Sequence, residues 1–385
     1  MKNFTFSIPQ NIVVGKGSIT KIPGLAKEMG LTHAFLISGP HLNKMGVVSK
    51  CAEQLKKEGI LCDAFTETEG NPSVETVEKA TGAFVASGAD FLVALGGGSP
   101  MDVAKAVGVV ARYGGSITDY EGGGKVPGPI VPLIAVPTTA GTGSEVTAFS
   151  VITDHSRNYK LTVFSYELLP SCAILDAELL GSAPAAVAAA CGIDALVHAM
   201  EAYLSTAASP FTDAMAEKAM ELIGGNIRRY AANRGDTEAA EAMLIGSLFA
   251  GIAFSFARLG DVHAMSHPVS AYFDVPHGVA NAILLPTVVG FNALADHGKY
   301  RRIYNYIAQI PLSESEFTPE LLVRELRSLN ASLGIPSSLS EVGVTEDKFD
   351  AMADDAMKSG NIAVNPRTTN KKDILNLYQK AQKGL

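Results

Sequence analysis

The residues best suited to chemistry are an aspartate and several histidines in the second half of the chain. Asp194 and His198 stand four residues apart, so on a helix both side chains project from one face. His263 and His267 have the same spacing, and His277 follows at the expected start of a further helix. One carboxylate with three imidazoles, drawn from two helices and a turn, suits a divalent ion such as Fe²⁺ or Zn²⁺.

The apolar neighbours of these residues favour a metal site over two simpler interpretations. Asp194 and His198 lie among Ile, Leu, Val and Ala, and burying a carboxylate with an imidazole is costly unless something compensates. A single buried histidine is more often a hydrogen-bonded core residue than a ligand. An Asp–His pair one helical turn apart can also simply share a hydrogen bond. Five such residues in apolar surroundings favour a metal site over these alternatives.

A glycine-rich turn in the first half is the second chemical motif. The apolar run 91–95 leads directly into Gly96-Gly97-Gly98-Ser99-Pro100 and then into a helical stretch. Backbone N–H groups of consecutive glycines can approach a ligand closely, and a helix N-terminus adds partial positive charge, so the pattern favours pyrophosphate. Alternatively, Ser99 caps the helix and Pro100 is its first residue, which leaves the three glycines unexplained. The spacing matches neither G-x-G-x-x-G nor a Walker loop.

A second polar turn, 137–145, also follows an apolar strand-like run. It contains four hydroxyl side chains and two glycines, which could serve phosphate or ribose oxygens. The alternative is a Ser/Thr turn whose hydroxyls cap the following helix. Because the carboxyl ends of parallel strands meet at one edge of a sheet, the two turns together favour a dinucleotide site.

The surrounding sequence predicts the elements that position these residues. Short apolar runs closed by Gly or Pro, such as 34–38, 91–95 and 133–137, alternate with helical stretches and predict a parallel sheet with helices on both faces. Ala-rich segments with a 3.6-residue period then predict helices over 184–206, 210–233, 237–256 and 300–309. We therefore expect a dinucleotide-binding α/β domain over 1–182 and an all-α, metal-binding domain over 183–385.

Composition limits the class of protein. The 385 residues carry 31 Lys and Arg against 39 Asp and Glu, a net charge of −8, and no basic block longer than a pair, which argues against nucleic-acid binding. No run of about 18 consecutive apolar residues predicts a membrane span, and the N-terminal residues show no secretory signal. Four scattered cysteines are typical of reduced thiols in a cytoplasmic protein.

Taken in order, these motifs resemble the iron-dependent (group III) alcohol dehydrogenase family over essentially the whole chain. The matching segments are 96–105, 138–145, 192–201, 263–267, 273–281 and 359–366. The likeness is greatest to the branch of lactaldehyde reductases and 1,3-propanediol dehydrogenases. It implies a dehydroquinate-synthase-like fold and hydride transfer between NAD(P) and a short-chain alcohol, diol or aldehyde. It also implies a homodimer or larger homo-oligomer.

The resemblance also implies roles for individual positions. His267 matches the histidine that lies beside the nicotinamide and is not a ligand, so it is the candidate for catalytic proton relay. The positions that match metal ligands are Asp194, His198, His263 and His277. The positions that match the substrate pocket are Phe149 and Phe254. The positions that match cofactor contacts are Asn71, Gly97, Gly98, Ser99, Asp102, Thr138, Thr139, Thr142, Thr147 and Lys160.

One position departs from the NAD-preferring relatives. After the run 34–38 those relatives place an Asp that bonds the adenosine ribose, whereas this chain has Gly39. A carboxylate there would repel a 2′-phosphate, so its loss removes the discrimination against NADP. No Arg is nearby and only Lys44 is close in sequence. We expect NADP to be accepted at least as readily as NAD.

Three alternative functions are weaker. A metal- and NAD-dependent lyase resembling dehydroquinate synthase would need several Lys and Arg for its phosphate-rich substrate, and the helical windows supply only Arg258. A zinc polyol dehydrogenase would use fewer, differently spaced ligands. A non-catalytic metal- or nucleotide-binding protein is disfavoured because the ligand set and the glycine turn are both intact.

Overall fold

The computed structural model describes residues 6–8, 11–157 and 159–384. These residues form two compact units. The first, which we call the sheet unit, comprises Ser7–Thr139 and Gly143–Ser182. The second, the helical unit, comprises residues 183–384 together with Ala140–Thr142 and Phe6.

A parallel six-stranded sheet forms the centre of the sheet unit. Its strands are β1 (Asn11–Val14), β2 (His33–Ile37), β3 (Leu61–Phe65), β4 (Phe91–Gly96), β6 (Leu133–Pro137) and β9 (Cys172–Leu175), in the order β1-β9-β6-β4-β2-β3. Successive residues alternate between two apolar clusters, so that Leu92 belongs to one cluster and Val93 to the other. Both faces of the central strands are therefore buried, which explains their near-continuous apolar runs.

Helices cover both faces of this sheet, as predicted. They are α1 (Ile22–Glu28), α2 (Pro40–Lys44), α3 (Val47–Lys57), α4 (Val74–Ser87) and α5 (Gly98–Tyr113). Ile22 of α1 and Leu55 of α3 pack in the cluster on one face. Val77 of α4 and Val107 of α5 pack in the cluster on the other. The sheet thus has the α/β architecture that the alternating pattern predicts.

A second, three-stranded sheet lies outside the predicted pattern. Its strands are β5 (Gly122–Gly123), β7 (Phe149–Asp154) and β8 (Tyr159–Phe164), in the order β5-β8-β7. β7 and β8 pair antiparallel, with Phe149 opposite Phe164. Asp154 begins the connecting turn by accepting a hydrogen bond from the Ser156 backbone N–H at 3.0 Å. An Asp that ends an apolar run is a local turn signal, and it could have revealed this hairpin.

The helical unit consists of nine described helices. They are α6 (Ala185–Leu204), α7 (Pro210–Ala232), α8 (Thr237–Ala257), α9 (Asp261–Phe273), α10 (His277–Asn292), α11 (Lys299–Ile307), α12 (Pro319–Ser332), α13 (Phe349–Lys358) and α14 (Lys371–Gln382). The four helices predicted from the 3.6-residue period correspond to α6, α7, α8 and α11. The expected architecture, an α/β part followed by a helical part, is confirmed.

Three segments of the helical unit are long and apolar enough to cross a membrane by length and composition: Ala185–Leu204, Thr237–Ala257 and His277–Ala295. Counting consecutive apolar residues missed them, because polar residues interrupt each run. Their most apolar windows are 78%, 67% and 61% buried within the fold. A helix that is apolar on every side packs in this way at the centre of a large helical unit.

Adjacent glycines in α7 give opposite predictions for stability. A Cβ at Gly224 would lie 2.3 Å from the Tyr306 carbonyl oxygen of α11, whereas a Cβ at Gly225 would meet nothing within 4 Å. We expect Gly224→Ala to lower the free energy of unfolding by about 1–3 kcal/mol, because α11 must move away from α7. Gly225→Ala should instead raise it by up to about 1 kcal/mol. Urea denaturation followed by circular dichroism checks both values, and equal effects would contradict this packing.

Candidate metal and dinucleotide sites

Four predicted metal ligands converge within the helical unit. Asp194 and His198 lie one turn apart on α6, His263 lies on α9, and His277 is the first residue of α10. Asp194 Oδ1 lies 3.8 Å from Nε2 of each of the three histidines. Two ligands about 2.1 Å from an ion at tetrahedral angles are ~3.4 Å apart, so small inward shifts would surround an ion. The ligand atoms of Asp194, His263 and His277 lie within 4.8 Å of one another.

Two contacts orient the His198 ring, one at its edge and one on its face. Its Nδ1 lies 3.3 Å from the carbonyl oxygen of Gly141, and its ring stacks on Phe254 with centroids 4.5 Å apart. A carbonyl oxygen only accepts, so Nδ1 carries the proton and Nε2 offers its lone pair toward Asp194. A Cβ at Gly141 would lie 2.8 Å from Cys191 Cβ, so a glycine is needed for this approach.

Asn281 is a member of the cluster that the sequence analysis did not single out. It stands one turn after His277 on α10, and its Nδ2 donates to Asp194 Oδ1 at 2.6 Å. The same nitrogen lies 3.1 Å from His263 Nε2 and 3.2 Å from His277 Nε2. Its Oδ1 is buried and accepts no hydrogen bond from the residues that the structure describes. The carboxylate oxygen of Asp194 and the Nε2 atoms of the three histidines thus lie around one point. Such a group of ligand atoms attracts positive charge, and the residues present therefore fit a divalent cation.

The pKa values of the cluster place two of its groups in the state that a metal requires and a third in a state that must lose a proton. Burial lowers the pKa of His198 to about 4, against the opposing charge of Asp194. Burial also acts to lower the pKa of His263, but the interactions of its ring with the carboxylates of Asp194 and Glu201 outweigh it and raise the pKa to about 9. Burial acts to raise the pKa of the Asp194 carboxyl, yet the surrounding histidines hold that pKa far below its usual range. Asp194 is therefore ionised and His198 neutral, the states that a metal requires, whereas His263 would release a proton when a metal binds.

His267 lies beside the ligand set. It stands one turn after His263 on α9 and is half-buried. Its ring centroid lies 5.2 Å from that of His277 and 6.1 Å from that of His263. A partly exposed imidazole in this place can exchange protons with solvent, and its catalytic role stays a prediction.

The helix that follows the glycine turn of the sheet unit begins two residues earlier than the alternative interpretation predicts. β4 ends at Gly96, and Gly97 rather than Ser99 occupies the N-cap of α5. A Cβ at Gly96 would lie 2.6 Å from the Pro100 ring, and one at Gly97 would lie 2.9 Å from Thr139 Oγ1. No side chain caps α5, so its first N–H groups are available to a phosphate.

Lys105 holds the second turn in place, a role that the sequence analysis did not assign. Its side chain is fully buried. Nζ donates to the carbonyl oxygens of Ser144, Thr147 and Phe149 at 2.7, 2.9 and 2.8 Å. Burial lowers the pKa of Lys105 to about 8, while the charges of Asp102 and Glu145 oppose it. One buried ammonium thus joins the polar turn to β7.

Asp102 reinforces the same turn. Its Oδ1 accepts from Ser144 Oγ at 2.9 Å, and its Oδ2 accepts from the Val151 backbone N–H at 3.2 Å. Burial raises the pKa of the Asp102 carboxyl to about 6, with Lys105 opposing the shift. The glycine turn and the Ser/Thr turn are therefore parts of one hydrogen-bonded structure.

Further predicted cofactor and substrate residues are divided between the sheet unit and the helical unit. Asn71 has a positive φ of 54°, and its Oδ1 accepts from Lys160 Nζ at 2.7 Å. Gly39 is the N-cap of the short helix α2 and lies two residues after the end of β2. Phe149 packs on Phe164, with ring centroids 4.9 Å apart. Within the sheet unit, two predicted cofactor residues are thus in direct contact. Thr142, like Phe254, belongs to the helical unit.

Comparison with known families identifies the class. The family model for iron-containing alcohol dehydrogenases matches residues 9–177. The model for the C-terminal part of the Fe-containing alcohol dehydrogenase family matches residues 188–382. The chain therefore belongs to the iron-containing alcohol dehydrogenase family and is an oxidoreductase acting on alcohols. The resemblance inferred from the motifs is confirmed.

Individual relatives match along the full length of the chain. The 1,3-propanediol dehydrogenase of Citrobacter freundii is 38% identical over 381 residues, which cover 98% of both chains. The lactaldehyde reductase of Escherichia coli K12 is 37% identical over 370 residues, covering 95% of this chain and 96% of that one. A crystal structure of a 1,3-propanediol oxidoreductase superposes with a TM-score of 0.95 at 37% identity, covering 99% of this chain and all of the other. The similarity to this branch of the family is confirmed.

Removing Lys105 tests whether the buried ammonium shapes the dinucleotide site. We expect Lys105→Met to raise the Kd for NADPH about tenfold or more, because a change of about 1.4 kcal/mol suffices for a factor of ten. Three carbonyl oxygens would lose their donor, which should lower the free energy of unfolding by about 3 kcal/mol. Fluorescence titration and urea denaturation measure the two effects. Lys79→Met, on the exposed side of α4, is the control, and a folded Lys105→Met with unchanged affinity would contradict the assignment.

Proposed function

We propose that this protein is a metal-dependent alcohol dehydrogenase and aldehyde reductase that transfers hydride between NAD(P) and a short-chain alcohol or diol. The observation that carries the proposal is the placement of three histidine Nε2 atoms, each 3.8 Å from one buried carboxylate oxygen of Asp194. Membership of the iron-containing alcohol dehydrogenase family supports it.

The ligands of the ion would be Asp194, His198, His263 and His277. A divalent ion held there supplies Lewis-acid polarisation of an alcohol or carbonyl oxygen. One carboxylate with three imidazoles suits both Fe²⁺ and Zn²⁺. We assign Fe²⁺ as the resident ion, because the matching family is described by iron. The metal site would thus belong to the helical domain, 183–385.

The dinucleotide would bind to the α/β domain, 1–182. The glycine turn would accept the pyrophosphate, because the first N–H groups of α5 are uncapped and the glycines leave room beside them. NAD(P) supplies or accepts the hydride when bound. The turn stabilised by Lys105 and Asp102 would keep Thr138, Thr139 and Thr147 in place to meet the rest of the cofactor.

His267 would move the proton that accompanies hydride transfer. Its imidazole lies beside His277 and is half-exposed, so a ring nitrogen can take a proton from the substrate hydroxyl and pass it to solvent. Aldehyde reduction uses the same path in reverse. Phe254, which is buried against His198 in the helical unit, would offer an apolar surface to a short carbon chain, and Phe149 stays a predicted substrate residue of the sheet unit. We also propose a homodimer or larger homo-oligomer, which light scattering tests.

Two histidine variants separate the ligand from the proton relay. After anaerobic reconstitution with Fe²⁺, His263→Ala should lose both bound metal and aldehyde-dependent oxidation of NADPH, because one donor is missing. His267→Ala should bind metal normally but turn over about 10²–10⁴-fold more slowly, because it lacks only the acid–base group. Elemental analysis and the absorbance of the reduced cofactor measure the two effects.

The exposed His297 provides the control, since His297→Ala should leave metal content and turnover unchanged. Full activity in both site variants would overturn the assignment of roles. Wild-type protein that holds metal and dinucleotide yet reduces no aldehyde would favour the lyase alternative.

Gly39 tests the choice of dinucleotide. A Cβ there would meet only the Thr68 carbonyl oxygen, at 3.1 Å, so a short side chain fits after a small shift. We expect the wild type to have a kcat/KM for NADPH at least equal to that for NADH. Gly39→Asp should lower the NADPH value about 100-fold, because like charges placed together cost several kcal/mol.

Gly39→Asn has nearly the same size without the charge and should retain NADPH turnover. Measuring kcat/KM with NADPH and with NADH for the wild type and both variants tests these expectations. A wild-type enzyme that strongly prefers NADH would refute the inference from Gly39.

A further inference from the structure

Helix α9, which carries His263, is capped by side chains from distant parts of the chain. Its N-cap residue is Gly260, which offers no side chain. The Val262 backbone N–H instead donates to Glu201 Oε1 at 2.7 Å, and the Asp261 backbone N–H donates to Asn365 Oδ1 at 3.2 Å. The first N–H groups of a helix lack partners within it, so these two side chains serve as its caps.

The second oxygen of Glu201 reaches the imidazole of His263. Glu201 Oε2 lies 2.5 Å from His263 Nδ1, and both side chains are buried. A carboxylate only accepts, so Nδ1 carries a proton, and Nε2 is the nitrogen left to coordinate an ion. That Nε2 is the atom 3.8 Å from Asp194 Oδ1. Glu201 therefore fixes both where α9 begins and which nitrogen of His263 faces the cluster.

Gly260 makes this double contact possible. A Cβ at this position would lie 2.9 Å from Glu201 Oε1 and 2.9 Å from Asn365 Oδ1. Any larger residue would push both acceptors away from the start of α9. The glycine is thus required by the close approach of two side chains.

Asn365 also connects the start of α9 to α10 by hydrogen bonds. It exchanges a pair of amide hydrogen bonds with Asn292, at 2.9 and 3.0 Å, and donates to the Arg367 carbonyl oxygen at 2.7 Å. Asn292 is the last residue of α10, the helix that begins at His277. The segment 359–366, which matches the family but has no chemical role in the proposed function, acquires one here: it holds the ligand helices together.

We propose that Glu201 is the positioning residue of the metal site, with Asn365 as its partner at the start of α9. Glu201 lies on α6 with Asp194 and His198, so a single helix carries two ligands and the group that orients a third. A carboxylate hydrogen-bonded to the remote nitrogen fixes the ring and makes the coordinating nitrogen more basic. This inference rests on the proposed function, since the ion is the group that His263 Nε2 would meet.

Glu201→Gln tests the inference with almost no change in shape. The amide has one oxygen, so it cannot accept from both the Val262 N–H and the His263 Nδ1–H. If its NH₂ group faces His263, the ring must take the other tautomer, and its Nε2 then carries a proton instead of a lone pair. We expect the Kd for Zn²⁺, measured by chelator competition on metal-free protein, to rise about 10–100-fold.

Glu325→Gln is the matched control. Glu325 pairs with Arg228 at 2.6 Å in the same helical unit, so this variant also breaks a partly buried carboxylate contact. It should leave the Kd for Zn²⁺ unchanged. The Kd for NADPH of the metal-free protein should not change in either variant.

Co²⁺ provides a readout that general destabilisation does not move. We expect the visible absorption bands of Co²⁺-loaded Glu201→Gln to differ from those of the wild type, and those of Glu325→Gln to coincide with them. Glu201→Asp keeps the charge but is too short to reach both donors, so its Co²⁺ absorption bands should lie between those of the wild type and those of Glu201→Gln. It also replaces Glu201→Gln as the test if that variant does not fold.

The outcomes separate this inference from the proposed function. A wild-type protein that binds neither Zn²⁺ nor Co²⁺ would refute the metal site itself. A wild type that binds them, with Glu201→Gln and Glu201→Asp matching it in Kd and in Co²⁺ spectrum, would overturn the positioning role alone.

Discussion

The buried carboxylate of Asp194 is the charge around which the helical unit is organised. Withdrawing an ionised carboxylate from water costs several kcal/mol even after relaxation, so it must be compensated nearby. Compensation comes from three histidines and the Asn281 amide, carried by helices α6, α9 and α10. The apolar surfaces of those helices exclude water, and this low-dielectric surrounding strengthens every electrostatic interaction at the site. The same packing therefore stabilises the unit and prepares its chemistry.

The sheet unit also contains a buried charge that must be compensated, in this case a positive one. Lys105 is fully buried and is compensated by the charges of Asp102 and Glu145 and by backbone carbonyl oxygens of the segment after β6. A loop rich in hydroxyls and glycines has few apolar contacts of its own, so a central cation gives it a defined shape. In both units one buried charge orders the polar groups around it. The hydrogen bonds that stabilise each unit are therefore also those that shape its candidate site.

Several motif glycines are required by close packing between elements. A Cβ at Gly278 would lie 2.3 Å from the Ala190 carbonyl oxygen, so this glycine lets the start of α10 approach α6 and brings His277 to Asp194. Gly141 and Gly260 allow similarly close approaches beside His198 and His263. Each of these glycines lets two segments approach closely beside a histidine of the cluster.

The sequence by itself determined the central strands, the Ala-rich helices, the family and the candidate metal ligands, because each follows from local periodicity or from a local motif. Only the tertiary structure decided the hairpin of β7 and β8, the N-cap at Gly97, and the roles of Lys105, Asn281 and Glu201. The contact between Glu201 and Val262 spans 61 residues, and that between Asn365 and Asp261 spans 104. No short-range pattern encodes such contacts, because they arise only when separate helices pack around the same buried charge.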